Sequence, residues 1–233
     1  MLKIGLLGGM SWESSANYYK IINEEIKRKL GGLHSAKVIL NSVDFNEIEQ
    51  LQHKGDWEET SKILTKEAKD IENAQADFLL ICTNTMHKVA SQIESNINIP
   101  ILHIADATAE VLIKDGIKKV GLLGTSFTMK QEFYKGRLKD KFNLDVLVPS
   151  AYDIKIIHDI IYNELCLGKI KVESKNEYLA IIHNLVNHGA EAIILGCTEI
   201  SMLINQEDTD IKLYDTTTIH AKKAVEYAIN NKK

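Results

Sequence analysis

Cys197, Thr198 and Glu199 stand together directly after the apolar run Ala192-Ile193-Ile194-Leu195 and Gly196. A thiol, a hydroxyl and a carboxylate in a row can move a proton or hold a small polar ligand. Four apolar residues, a glycine and a polar cluster read as a buried strand ending in a loop. In an open α/β sheet, chemistry gathers at the carboxyl ends of the strands. Cys197 is therefore expected at a strand's mouth. A free cysteine is by default a small buried hydrophobe. The position after a strand and before an expected helix N-terminus argues instead for a functional thiol with a pKa lowered from about 8.5.

An earlier stretch matches this one. Residues 76–85, which include Phe78-Leu79-Leu80-Ile81-Cys82-Thr83-Asn84-Thr85, line up with residues 190–199 at a constant offset, 197 − 83 = 114. The alignment sets Thr83, not Cys82, opposite Cys197. Thr83, Asn84 and Thr85 offer hydroxyl, amide and hydroxyl, and Thr198 adds a hydroxyl in the second copy. Such side chains, with the backbone N–H groups of a turn, form a carboxylate site. Helix capping is the plainer reading of each threonine alone; two matching clusters point to a ligand. Strand alternation turns Cys82 away from Thr83's face, as a packing residue. Cys166 reads as a helix core residue.

Gly8-Gly9-Met10-Ser11 could cradle an anion with its backbone. It is not Gly-x-Gly-x-x-Gly, and no Gly-Lys-Ser/Thr follows, which argues against nucleotide binding. Met10 could wall a pocket, although such residues are more often core, and Gln52 is a polar candidate after the second strand. Thr125, directly after the strand-like 119–124 run, joins Met10, Gln52, Asn84, Thr85, Thr198 and Glu199 as candidate substrate-binding residues. His87 and His103 lie in or after strands, and no His, Asp and Glu set has metal-ligand spacing. The expectation is no metal, and no pyridoxal cofactor because no lysine stands out as a Schiff-base site.

These residues need a scaffold, and the chain supplies it twice. Lys3-Ile4-Gly5-Leu6-Leu7-Gly8 recurs as Lys119-Val120-Gly121-Leu122-Leu123-Gly124, at an offset of 119 − 3 = 116. The expected first copy runs strand, helix from Ser11–Ser15 to Gly31, strand 36–43, a short helix or loop from Asp44, amphipathic helix Trp57–Asn73, the strand ending at Thr83, a helical stretch 86–95 and a strand 99–104. The second continues with a helix from about Met129, a strand 144–147, helices 154–167 and 175–188, the strand 192–195, a stretch 211–216 that echoes 104–108, and a last helix to Asn230. Alternating strands and helices predict parallel sheets covered by helices. The expected fold is α/β, with two pseudo-symmetric parallel-sheet domains and an active-site cleft between them. Residues 1–98 form the first domain, on which the C-terminal helix 215–233 is expected to pack. Residues 99–214 form the second.

The 233 residues carry 45% hydrophobic and 26% charged side chains, an ordinary balance for a globular chain that buries a core. A formal net charge of −4 gives no electrostatic case for nucleic acid or an anionic membrane. No stretch reaches the roughly 18–20 apolar residues of a membrane span. Met1-Leu2-Lys3-Ile4-Gly5 enters a strand pattern without a secretory signature, so a cytoplasmic protein is expected. Three cysteines without Cys-x-x-Cys spacing argue against a disulfide framework and a structural zinc site.

At Leu6-Leu7-Gly8-Gly9-Met10-Ser11-Trp12, Cys82-Thr83-Asn84-Thr85-Met86-His87 and Gly196-Cys197-Thr198-Glu199 the sequence resembles the aspartate/glutamate racemase family, over essentially the whole chain. The resemblance implies paired α/β domains, a homodimer and cofactor-independent racemisation of aspartate or glutamate. In the family pattern, a cysteine at each of two strand ends exchanges the α-proton on one face of the substrate. This sequence departs from it, with Thr83 where the first cysteine stands. The family's second-half cysteine acts on the L enantiomer, so Cys197 is expected as the L-face base and acid. A threonine hydroxyl is a far weaker base than a thiolate, which biases the expected activity toward L substrates. Glu164 stands near where some aspartate racemases have a basic residue that recognises the side chain, so the resemblance speaks more firmly for a racemase than for an acidic substrate. Two other readings stay open: a single-cysteine lyase or isomerase such as a malonate-type decarboxylase, and an amino-acid-binding protein without turnover.

Overall fold

The computed structural model describes residues 1–231. The chain divides into two compact units, Met1–Ile104 joined by the chain from Thr217 onward, and Ala105–Thr216. The first unit thus includes residues 99–104, which the sequence boundary at 98/99 assigns to the second.

In the first unit, β1 (Ile4–Gly8), β2 (Val38–Ser42) and β3 (Phe78–Ile81) form a parallel sheet in the order β2-β1-β3. Period-two alternation sorts its side chains. Ile4, Leu6, Phe78, Leu80 and Cys82 share one apolar cluster with Tyr18, Ile22 and Ile26 of α1 (Trp12–Leu30). Leu7, Leu79 and Ile81 share the other with Ile48 of α2 (Phe45–Lys54) and Leu64, Ala68 and Ile71 of α3 (Trp57–Asn73). Each fully buried Ile or Leu contributes about 1.5–3 kcal/mol. The caps explain the helix bounds: Ser11 accepts a hydrogen bond from the N–H of Ser14 at the start of α1, and Gly31, at φ 74°, ends it. After β3 come a 3₁₀ turn, Thr85–Val89, and the short α4 (Ala90–Glu94).

The expected strand over 99–104 is reduced to a single parallel bridge between Leu79 and Ile101. Pro100 has no N–H to donate, and α5 (Ile104–Lys114) starts at once. Two backbone bonds remain, Leu79 N–H to Pro100 O at 2.9 Å and Leu102 N–H to Leu79 O at 3.0 Å.

The second unit holds a four-stranded parallel sheet, β5-β4-β6-β7, from β4 (Lys119–Gly124), β5 (Asp145–Leu147), β6 (Ala192–Gly196) and β7 (Leu213–Asp215). Its helices are α6 (Ser126–Lys130), α7 (Glu132–Phe142), α8 (Ala151–Asn163), α9 (Val172–Asn187) and α10 (Ile200–Leu203), with most of α5. The helix expected from about Met129 is in fact two, because Gln131 is extended, at φ −95° and ψ 153°, between α6 and α7. Strands β2-β1-β3 and β5-β4-β6 share one order, so the sequence repeat is also a repeat of topology.

The last helix, α11 (Thr216–Asn230), packs on the first unit. Ala221, Ala224, Val225 and Ala228 join the cluster of α1 and β1. His220 is fully buried between the Tyr18 hydroxyl, 2.9 Å from its Nδ1, and the Leu102 carbonyl, 2.7 Å from its Nε2.

Candidate functional site

The carboxyl ends of β1 and β3 carry the first cluster. After β1 the chain turns through Gly9, at φ +92°, where a Cβ would stand 2.2 Å from Val43 O. Only glycine fits that approach. Ser15 locks the turn: its Oγ accepts from Gly9 N–H at 2.8 Å and donates to Ser11 O at 2.9 Å. The loop read as an anion cradle therefore spends the Gly9 N–H internally. Met10, 4% exposed, sits in the apolar cluster of Leu7, Ile48 and Met86.

Thr83 is held by its backbone on both sides. Cys82 N–H donates to Leu7 O at 2.9 Å, and Ser14 Oγ donates to Cys82 O at 3.2 Å. His87 Nδ1 lies 2.8 Å from Thr83 O, while His87 Nε2 accepts from Ile104 N–H at 3.2 Å. That pairing places the His87 proton on Nδ1. Thr83 is partly exposed between buried Cys82 and Asn84. Asn84 and Thr85 are buried and open the 3₁₀ turn. Cys82 is fully buried and faces the core, and burial pushes its thiol pKa up. Gln52 is buried on α2.

The carboxyl ends of β4 and β6 carry the second cluster. These strands touch closely, with Gly124 opposite Gly196. Thr125 is buried and caps α6, with Oγ1 accepting from Thr128 N–H at 3.3 Å. After β6, Cys197 Sγ donates to Glu199 Oε2 at 2.9 Å, and Thr198 Oγ1 donates to the same oxygen at 2.8 Å. The N–H of Ile200 closes the turn onto Cys197 O at 3.1 Å.

The expectation of a lowered Cys197 pKa is corrected. Burial, and then the negative charge of Glu199, push the thiol well above its ordinary value. The following helix, α10, is only four residues long, too short to offset them. Cys166, expected in a helix core, is instead partly exposed in the 3₁₀ turn Leu165–Leu167. Glu164 accepts from Ser174 Oγ at 2.6 Å and from Lys171 Nζ at 3.0 Å.

Thr83, Asn84, Thr85 and Met10 are thus gathered at one pair of strand ends, and Thr125, Cys197, Thr198 and Glu199 at the other, with Gln52 on a helix of the first unit. His87, the grip on Thr83, lies outside the set expected from sequence. Its signal was the spacing of four residues from Thr83 inside the same motif.

The sequence model of the Asp/Glu/hydantoin racemase family matches residues 7–224. This chain belongs to that family. A candidate Asp/Glu racemase of Yersinia pestis is 51% identical over 98% of this chain and all of its own, with a TM-score of 0.92. An aspartate racemase homologue of Pyrococcus horikoshii is 35% identical over 98% of this chain and 100% of its own, with a TM-score of 0.84. A broad specificity amino-acid racemase of Bacillus subtilis is 23% identical over 73% of each chain. As a member of the Asp/Glu/hydantoin racemase family the protein is an isomerase, and its two parallel sheets are the family's fold. Among the described residues, no group of three or more His, Cys, Asp or Glu is placed to hold a metal ion, and no helix is long and apolar enough to cross a membrane.

Proposed function

We propose that this racemase interconverts the enantiomers of an acidic amino acid, aspartate or glutamate, by moving the proton at Cα without a cofactor. The observation that carries the reading is the matched placement of two side chains. Thr83 follows β3, the neighbour of β1, and Cys197 follows β6, the neighbour of β4. Inverting a stereocentre needs a base on one face and an acid on the other, and two like strand ends are a natural source of the pair. In this reading Cys197 takes the α-proton of the L enantiomer. Thr83, directly or through a water, returns a proton to the opposite face.

Asn84 and Thr85 are the proposed donors to the substrate carboxylate, where they stabilise the enolate-like charge that develops as the proton leaves; Thr198 joins them when its hydroxyl turns from Glu199 to the substrate. Met10, Gln52, Thr125 and Glu199 complete the set, Met10 and Thr125 through the wall and the cap they form. The hydroxyl of Thr83 is a poor base at neutral pH, so turnover is slower from the D side. That bias is kinetic, because a catalyst leaves the equilibrium between enantiomers unchanged. The same reading takes the enzyme as a cytoplasmic homodimer.

The test is α-proton exchange in deuterated buffer, followed by NMR, with L- and D-aspartate and L- and D-glutamate separately. The expected result is fast exchange of an L form, slow exchange of its D form, and loss of L exchange in Cys197→Ala. Absence of exchange with all four sinks acidic-amino-acid racemisation. Loss of carbon dioxide from a malonate-type acid, or ligand-induced thermal stabilisation without exchange, would then identify a lyase or a binding protein.

A further inference from the structure

We propose that the amino ends of the first sheet form a second binding site, for a small organic anion that carries phosphate or carboxylate groups. The site lies at the opposite end of the strands from Thr83 and does not depend on the racemase reading.

Register sets three charged side chains in one row. Strand β1 pairs with β2 at Ile4–Val38 and with β3 at Ile4–Phe78. One residue earlier, Lys3 therefore stands between Lys37 and Asp77, with neighbouring strands about 4.8 Å apart. Two backbone bonds carry the pairing into this row: Ile4 N–H to Lys37 O and Asp77 N–H to Lys3 O, both 2.8 Å. At about 3.3 Å per residue, Lys3 is about 17 Å from Gly8 and the carboxyl ends.

The row is short of negative charge. Asp77 Oδ2 accepts from Lys3 N–H at 2.7 Å, and Lys3 Nζ donates to Ala74 O at 3.1 Å. Among the described residues, neither Lys3 nor Lys37 forms an ion pair with a carboxylate. Like charges side by side on adjacent strands repel. The repeat supplies its own comparison. In the second unit the row is Asp145, Lys119 and Glu191. Lys119 pairs in register with Asp145, and Glu191 N–H donates to Lys119 O at 2.9 Å. Lys119 Nζ lies 3.7 Å from Asp145 Oδ2. Asp145 thus holds the place that Lys37 holds in the first unit. There the lysine is neutralised within the protein; here two ammonium groups share one carboxylate, and a counter-charge must come from outside.

The same row opens onto a cavity of 830 Å³, lined by Lys3, Lys37, Gln75 and Asp77 with the apolar Leu2 and Ala76. Gln75 sits at φ 65°, an uncommon conformation for its type, where the chain turns from α3 into the row. That volume suits an organic ligand rather than a bare ion. The ammonium groups of Lys3 and Lys37 take its charge, and Leu2 and Ala76 give its body an apolar wall.

The experiment is calorimetric titration with pyrophosphate and with citrate, at an ionic strength held constant with sodium chloride, on wild type, Lys37→Gln and Lys37→Asp. Wild type is expected to bind at least one probe at a site that Lys37→Gln weakens by about tenfold or more. Lys37→Asp, which copies the row of the second unit, should abolish it. The tighter probe tells a phosphate ligand from a carboxylate one. Any binding at the carboxyl ends of the strands would survive both substitutions. Location is read separately, by acetylation with N-hydroxysuccinimidyl acetate and peptide mass spectrometry. A saturating probe should slow modification of Lys3 and Lys37 by about threefold or more and leave the lysines of the second unit unchanged. Lys37→Asp should melt no lower than wild type without probe; if it does melt lower, Lys37→Gln decides. No binding of either probe overturns the proposal, as does binding that both substitutions leave intact or protection spread evenly over all lysines. Exchange of L-aspartate should stay within about twofold of wild type in both variants, so this site and the racemase reading stand or fall separately.

Discussion

Acid should weaken the first unit in part through His220. Its ring is fully buried, and burial lowers its pKa to about 4, against 6.5 for an exposed imidazole. The Leu102 carbonyl, 2.7 Å from Nε2, accepts the ring proton, and Nδ1 takes the Tyr18 hydroxyl proton at 2.9 Å. The neutral tautomer satisfies both partners; the cation would lose the acceptor that holds Tyr18. The folded pKa lies below the unfolded one, so the unfolded chain binds the proton first. The contribution is whole above about pH 6.5 and drains away as the pH falls, at about 1.4 kcal/mol per unit, until it levels near pH 4. Between pH 7.5 and 4.5 the linkage amounts to about 2.5 kcal/mol. The assay is urea unfolding at a series of pH values, wild type against His220→Gln, followed by tryptophan fluorescence. Trp12 and Trp57, the two tryptophans of the chain, both lie in the first unit, so the signal reports that unit. His220→Gln should be less stable at pH 7.5, by about 1–3 kcal/mol for disturbed buried hydrogen bonds. Its stability should then fall less steeply with acid, so that the two curves converge. Parallel curves would refute the reasoning, because every other titrating group is common to both proteins.

Three further outcomes are expected. Thr83→Cys should raise exchange from the D enantiomer by tenfold or more, on the order of what a positioned thiol adds over a hydroxyl, and an unchanged ratio of D to L rates would remove Thr83 from the site. Cys82→Ala should cost about 1–2 kcal/mol for the cavity it leaves in the apolar cluster and keep L exchange, as read by urea unfolding and NMR; loss of exchange in a folded variant would bring Cys82 back into the chemistry. Gly9→Ala should destabilise the first unit by about 2–4 kcal/mol, since its Cβ would meet Val43 O at 2.2 Å in a backbone at φ +92°, and a variant of wild-type stability would mean that the loop moves freely.

The elements that local rules govern were legible in the sequence. The helix Trp57–Asn73 has the bounds its amphipathic pattern implies, because Asp56 caps it and Glu58 and Glu59 follow in the first turn. Alternation alone sends Cys82 to the same face as Phe78 and Leu80. The doubled pattern at offsets of 116 and 114 already contains the shared strand order of the two sheets. Where the local signals conflicted, they misled. The apolar run at 99–104 reads as a strand, yet Pro100 and the start of α5 leave it one bridge.

What only the tertiary structure decided is the state of the groups that carry charge. A protonation state sums burial and neighbours over the whole unit, and no spacing encodes it. Cys197 looked like an activated thiol from its place after a strand. Burial, and then the charge of Glu199 2.9 Å from its sulfur, push its pKa up instead. The two partners of His220, Tyr18 and Leu102, lie 202 and 118 residues away along the chain. Sequence determined the strands, the caps and which residue types arrive at the strand ends, because those depend on neighbours within a few positions. The fold decided where each proton rests, because that depends on groups brought together from distant parts of the chain and on the water their packing excludes.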